Sequence, residues 1–362
     1  MTVNMPADGT GALSGAEWGL IGQDNIKERL QSAIINGTVG HAYIIDGEEG
    51  SGKRTLAGMF SMALQCESLK RDEGLKRCYP CMRCSSCGRA LSGNHPDIIR
   101  LTHEKPDSIS VDEVREQVVR DASIKPYSSS YKVYLIAEAE KMTVQAQNAL
   151  LKTLEEPPSY AVIILVTNNI SALLPTIISR CAVFRTCPLD NDAVRDYLMK
   201  ELHADGYQAG IYTALARGNI GRAKALTGNE ELTLVTNEAV RLFRGAGEYG
   251  MGRLLETVRL LKDNRSLTGD FFDVIQILLR DVLMYKAEGL EDRVIFKEEL
   301  GNIKEKAASI SFESLNNAVN AIDEARKKLK ANVNFEITME LFLLSIRDSL
   351  RAVRDNDTAG QR

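Results

Sequence analysis

No proline follows Pro188 in this chain of 362 residues, although nine precede or occupy that position. Proline breaks helix interiors, so a long tract without it that keeps apolar periodicity reads as helical. Positive charge is also in short supply. The formal net charge is −4, which excludes a protein that coats nucleic acid by bulk charge and leaves DNA contact to a local patch or to partners. Long apolar runs are missing too: the longest, Ala161 to Val166, is far short of a membrane span. The start of the chain lacks the basic and apolar regions of a secretory signal, so a cytoplasmic protein with no membrane association is expected. Residues 1–15 read as a Gly/Ala-rich, poorly ordered lead-in. The four histidines, His41, His95, His103 and His203, are scattered, and no Gly-x-Ser-x-Gly elbow occurs, so nucleophilic hydrolysis has no support.

Cysteine, by contrast, is concentrated. Five of seven lie between Cys66 and Cys87, with Cys181 and Cys187 far away. Such clustering without an export signal favours a metal over a disulfide framework. Cys78, Cys81, Cys84 and Cys87 follow one another at ligand spacing, and Cys66 lies upstream, so the residues alone leave open whether Cys66 or Cys78 completes a four-thiolate shell.

Before Pro188, short apolar runs (Ala42 to Ile45, Lys132 to Ile136, Ala161 to Val166) alternate with helical stretches such as Val144 to Leu154. Strands alternating with helices predict a parallel sheet flanked by helices. After Pro188, Phe271, Ile275, Leu278, Val282 and Tyr285 recur at spacings of four and three, one apolar stripe on one helix. Leu315, Val319, Ile322 and Leu329 predict a second helix and Phe335 to Leu350 a third. An α/β domain followed by an all-α remainder is expected.

The run from Asp46 to Thr55 follows a predicted strand and opens a predicted helix, the context a phosphate-binding loop requires. Gly47, Gly50 and Gly52 let the backbone wrap an anion, and Lys53 reaches toward the outer phosphates. The next residue should carry a hydroxyl for magnesium, and here it is Arg54. Thr55 does not substitute, because one step along a helix turns a side chain by about 100°. Arg54 either replaces the metal's charge against a phosphate or is solvated. The strand Lys132 to Ile136 runs into Ala137-Glu138-Ala139-Glu140. Ala137 stands where a magnesium-orienting Asp belongs, and Glu138 where water is activated. Both protein contacts to Mg2+ are missing, a severe loss for phosphoryl transfer.

His41-Ala42-Tyr43, the run Asn148-Ala149-Leu150-Leu151-Lys152-Thr153-Leu154-Glu155-Glu156-Pro157-Pro158, and Ser179-Arg180-Cys181 occur in an order and spacing that resembles the AAA+ clamp-loader subunits of bacterial DNA polymerase III. The resemblance covers about residues 20 to 230 by motif. That family comprises the hydrolysing gamma/tau subunit and a delta-prime branch whose own site is degenerate. Arg54 and Ala137 point to the delta-prime branch, with Glu138 vestigial. The resemblance implies an α/β AAA+ P-loop domain at residues 16–190 with a zinc-binding insertion at about 66–87, a helical lid at 191–230 and an all-α collar at 231–362.

It further implies a structural Zn2+ on Cys66, Cys81, Cys84 and Cys87, with Cys78 the alternative to Cys66, ahead of His95-Pro96-Asp97. It makes Arg180 a finger supplied in trans to a neighbour's ATP site, Thr167 a first phosphate sensor, and Arg222, within Arg217-Gly218-Asn219-Ile220-Gly221-Arg222-Ala223, the charge of a second sensor. Binding of ATP or ADP in the chain's own loop stays open. The implied partners are gamma/tau and delta subunits, with the sliding clamp and primed DNA reached through the assembled ring. Lys141 and Lys152 are candidate DNA-backbone contacts or solvated lysines. Two rival readings follow from other classes: an active ATPase of the gamma/tau type, and a zinc-dependent DNA-binding module.

Overall fold

The computed structural model describes residues 18–72 and 77–351. The lead-in expected at residues 1–15, and the last eleven residues of the expected collar, lie outside the described residues. The chain divides into two compact units between Pro188 and Leu189.

In the first unit the elements run α1 (Asp24–Ile35), β1 (Ala42–Asp46), α2 (Lys53–Gln65), β2 (Lys70–Asp72), β3 (Arg77–Tyr79), α3 (Ser85–Leu91), β4 (Ile98–Arg100), α4 (Val111–Val114), β5 (Lys132–Ile136), α5 (Val144–Glu155), β6 (Ala161–Thr167), α6 (Pro175–Ile178) and β7 (Ala182–Arg185). Five strands form a parallel sheet in the order β4-β5-β6-β1-β7. The three strands expected from apolar runs are its interior. Their residues alternate between two cores: Tyr43, Ile45, Val133, Leu135, Val162 and Ile164 pack on the α1/α2 side, and Ile44, Tyr134, Ile136, Ile163 and Leu165 on the α5 side. Burial on both faces is why these strands read as continuous apolar runs without alternation. β4 and β7 escape a periodicity reading because they are three and four residues long. A small antiparallel hairpin, β2–β3, lies outside the main sheet.

In a parallel sheet all strands end on one side, and ligands gather there. The nucleotide-loop glycines follow β1, Glu138 follows β5, Thr167 closes β6 and Thr186 follows β7.

The second unit is helical: α7 (Asn191–Lys200), α8 (Gly206–Ala216), α9 (Ile220–Leu226), α10 (Glu230–Gly245), α11 (Met251–Asp263), α12 (Thr268–Glu288), α13 (Leu300–Ser309), α14 (Phe312–Lys330) and α15 (Phe335–Ser349). One continuous core runs from Val194 to Leu350, so the helices expected as a lid share it with those expected as a collar. In α12 the expected stripe residues Phe271, Ile275, Leu278 and Val282 are fully buried, as are Phe272, Val274 and Leu279. A helix apolar on more than one face is enclosed by neighbours. Among the described residues no helix is long and apolar enough to cross a membrane.

Candidate functional site

The loop after β1 has the shape its glycines foretell. Gly50 and Gly52 take positive φ of 82° and 87°. A Cβ on Gly52 would stand 2.3 Å from Leu20 Cδ1, and one on Gly47 1.9 Å from Thr186 Oγ1, so both positions are closed to other residues. Lys53 is buried, and its ammonium donates to the loop's own carbonyls, Gly47 at 2.6 Å and Glu48 at 2.5 Å. Burial lowers its pKa against the pull of Glu140 and Asp46. From β7's end, the Thr186 hydroxyl donates to Ser51 Oγ at 2.9 Å and fastens the loop to the sheet edge.

Arg54 is exposed, but it faces its own chain: Nη2 lies 2.9 Å from Glu138 Oε1. The other Glu138 oxygen accepts from Lys141 Nζ at 2.9 Å, with His103 Nε2 at 3.6 Å. The Lys141 hydrogen bond, together with the charges of Lys141, Arg54 and His103, holds this carboxyl below the usual range. Glu138 sits in left-handed backbone at φ 54°, a conformation that is costly for a non-glycine residue. Its carboxylate is thus occupied by cations of this chain. Ala137 lacks an oxygen and the Glu138 carboxylate is paired, so neither of the two positions after β5 that the resemblance assigns to magnesium chemistry has a free oxygen to offer it. Lys141 is tied to Glu138 and to the Pro106 carbonyl, which argues against a free DNA-contacting lysine. Thr167 is buried, and its hydroxyl donates to Glu140 at 2.8 Å. Glu140 is a partner that the motif pattern gave no reason to single out.

The cysteine question has a geometric answer. The Sγ atoms of Cys66, Cys81, Cys84 and Cys87 all lie within 4.8 Å of one another. Tetrahedral Zn–S bonds of about 2.3 Å put sulfurs roughly 3.8 Å apart, so a small contraction closes the shell. Cys66 caps the C-terminus of α2, Met82 turns the Cys81–Cys84 knuckle at φ 60°, and Cys84 caps α3, bringing Cys87 inward. Backbone N–H groups of Cys81, Cys84 and Cys87 donate to the sulfurs of Cys66, Cys81 and Cys84 at 3.2, 3.3 and 3.4 Å. Such donors favour thiolates: backbone donors lower the Cys81 thiol to about 6, while burial pushes the Cys66 and Cys87 thiols up. Cys78 is elsewhere. It is buried on β3, its thiol 3.7 Å from the Gln31 carbonyl and pushed up to about 11 by burial. Its carbonyl accepts from Trp18 Nε1 and Gln31 Nε2. Four thiolates with no open position suit a structural metal and no catalysis.

His95 and Asp97 brace this module. The Asp97 carboxylate accepts from the Tyr127 and Ser128 N–H groups at 2.6 and 2.8 Å; burial opposes ionisation, but these donors hold its pKa low. His95 Nδ1 accepts from the Asp97 N–H, and its Nε2 pairs with Ser86 Oγ at 2.9 Å, which in turn donates to the Gln65 carbonyl beside Cys66.

Arg180, after α6, is 36% exposed and ion-paired with Glu155 at 2.8 Å, and it also donates to the Thr176 carbonyl at 2.9 Å. Cys181 beside it is half-buried, its thiol raised to about 12 by burial, and so is no nucleophile. Arg222, in α9, bonds Asp270 at 3.2 Å and Asp273 at 3.4 Å, and Asp273 also receives Arg217 and Arg326 at 3.0 and 2.7 Å. Sequence reasoning missed both aspartates, which lie one turn apart near the start of α12.

Residues 22–190 match the family model described as DNA polymerase III, delta subunit, and residues 244–348 the one described as DNA polymerase III, delta subunit, C terminal. The chain is 28% identical over 333 residues to DNA polymerase III subunit delta' of Bacillus subtilis, covering 90% of this chain and 96% of that protein. It is 27% identical to subunit tau of the same bacterium, covering 90% of this chain and 60% of tau. To subunit tau/gamma of Haemophilus influenzae it is 28% identical, covering 90% and 48%. Among solved structures, a gamma subunit-related protein of Thermotoga maritima overlaps with a TM-score of 0.38 at 20% identity, covering 90% of this chain and all of that one.

Proposed function

The chain belongs to the clamp-loader subunit family of bacterial DNA polymerase III that includes delta-prime and tau/gamma, and within it we propose the role of stator: a subunit that does not hydrolyse ATP and supplies Arg180 in trans to a neighbour's ATP site. The observation that carries this reading is the Arg54–Glu138 ion pair. It engages, within the chain, the carboxylate that would activate water, while Ala137 offers magnesium nothing. Phosphoryl transfer relies on positioned charge more than on covalent chemistry, so a site that spends its acid on its own arginine loses most of its catalytic means.

The same reading makes the four-cysteine cluster a structural Zn2+ centre. It makes gamma/tau and delta subunits the direct partners, with the clamp and primed DNA met through the assembled loader. Residues 16–190 act as the AAA+ domain, 191–230 as its lid and 231–362 as the collar. Arg180 suits delivery in trans because a guanidinium is always charged and presents a fixed fork to phosphate oxygens. An arginine finger is worth 10³–10⁵ in rate in well-studied cases.

The test is clamp- and DNA-stimulated ATP turnover by the reconstituted loader, wild type against Arg180→Ala. Turnover is expected to fall at least tenfold with assembly intact. Unchanged turnover removes the trans role. Turnover by the isolated chain, abolished by Lys53→Ala, would instead establish the hydrolysing alternative.

A further inference from the structure

At the ends of β5 and β6, the expected phosphate sensor is already bound to an anion. Glu140 Oε2 accepts the Thr167 hydroxyl at 2.8 Å and the Asn168 N–H at 3.2 Å. Thr167 is 1% exposed, and its oxygen accepts in turn from the Asn169 N–H at 3.1 Å, so the hydroxyl has given its one proton and taken a donor. A phosphate arriving at this hydroxyl has to displace a carboxylate. The two acids after β5 differ in kind. Glu138 is neutralised by Arg54 and Lys141, whereas the two groups hydrogen-bonded to Glu140 are neutral. Burial disfavours the charged form of Lys53, and the negative charge of Glu140, with that of Asp46, opposes this.

A P-loop's backbone holds the inner phosphates of a nucleotide, and the clamp-loader resemblance implies that the hydroxyl at the end of the adjacent strand, here Thr167, meets the terminal one. The glycines and Lys53 keep the first part in this chain, and Glu140 takes the second. We propose that Glu140 is a specificity-determining residue of this loop, a built-in carboxylate that rests on the terminal-phosphate sensor and rejects nucleoside triphosphate. The proposal rests on the reading of the site as non-hydrolysing and adds a cause for it: like charges at short range in a part-buried site disfavour each other. A nucleoside diphosphate, ending before the sensor, escapes this repulsion.

The experiment is equilibrium binding of fluorescent ATP and ADP analogues to the full chain, wild type, Glu140→Gln and Glu140→Ala, with and without Mg2+. Glu140→Gln keeps an acceptor for Thr167 and Asn168 while removing the charge, so it tests the proposal even if the alanine variant fails to fold. Affinity for the ATP analogue is expected to rise at least tenfold in Glu140→Gln, with the ADP analogue changing less than threefold. Equal gains for both nucleotides, or an ATP affinity unchanged from wild type, including no detectable binding in either protein, overturns it. Phosphate release measured in the same wild-type samples is a separate readout: hydrolysis there sinks the stator reading, whatever the variants bind.

Discussion

Arg180 Nη2 lies 2.8 Å from Glu155 Oε1, joining the Ser-Arg-Cys triplet to the Leu-Glu-Glu-Pro-Pro run twenty-five residues earlier. Glu155 ends α5 and Arg180 follows α6, so the pair spans two elements of the same unit. With the Thr176 carbonyl on Nη1, the long side chain is held at two of its nitrogens. Pre-setting a guanidinium reduces the entropy lost when it meets a phosphate. Both groups are a third or more exposed, so the pair is worth at most about 1 kcal/mol, roughly fivefold in rate. Glu155→Ala is therefore expected to lower turnover of the reconstituted loader by about three- to fivefold. Glu155→Gln, which keeps an acceptor, should lie within about twofold of wild type. Equal losses in both would mean that charge, not position, is what Glu155 contributes.

Much of this was legible in the sequence because local chemistry is unambiguous there. The interior strands were marked by apolar runs that only a doubly covered sheet tolerates, and the loop by glycines whose positive φ the structure displays. What stayed hidden depends on distance in space. Nothing in the spacing of Asp270 and Asp273 says that Arg217, Arg222 and Arg326 converge on them. Spacing along the chain admits both Cys66 and Cys78, and only the resemblance prefers Cys66. The difference lies in Cys78 falling on a strand whose backbone serves Trp18 and Gln31, while Cys66 falls at a helix end facing the knuckle.

That difference gives a direct prediction. Substituting Cys66 with serine removes a ligand, and Cys78→Ser removes only a small buried thiol. Purified wild type and Cys78→Ser are expected to carry about one zinc per chain by elemental analysis, with Cys66→Ser well below it. Structural zinc contributes on the order of 10 kcal/mol in small modules, so Cys66→Ser should also unfold markedly earlier in urea. Full zinc in Cys66→Ser and loss in Cys78→Ser would reverse the assignment.

His95 supplies a pH dependence. Its Nδ1 accepts the Asp97 N–H, so the neutral ring carries its proton on Nε2, toward Ser86; a second proton has no acceptor. Burial lowers its pKa below the usual 6.5. Below about pH 6.5 the unfolded chain takes up a proton that the folded one resists, so this residue's contribution to stability is lost as pH falls. Urea unfolding of zinc-saturated protein at pH 7.5, 6.5 and 5.5 should show a steeper loss for wild type than for His95→Gln. Thiolate protonation contributes to both proteins and cancels in the difference. Parallel curves would show that the imidazole is not held neutral.

Asp273 is the anchor of the second unit's arginine cluster. Its side chain is 10% exposed and accepts from Arg217, Arg222 and Arg326, while Asp270, one helical turn away, takes a share of Arg222. Two carboxylates against three guanidiniums leave the cluster balanced toward positive charge, so removing Asp273 leaves like charges facing one another. The arginines are 60%, 39% and 32% exposed and turn to solvent, which limits the cost below that of a sealed ion pair. Hydrogen bonds to charged groups are each worth about 1.5–3 kcal/mol, and Asp273→Ala should cost about 2–3 kcal/mol in urea. Asp273→Asn, which keeps an acceptor, should cost less. If Arg222 serves the fold in this way, Arg222→Ala destabilises the isolated chain and leaves its ADP affinity unchanged. An arginine acting as a nucleotide sensor gives the opposite pattern, altered affinity at unaltered stability, and the two measurements on one variant separate them.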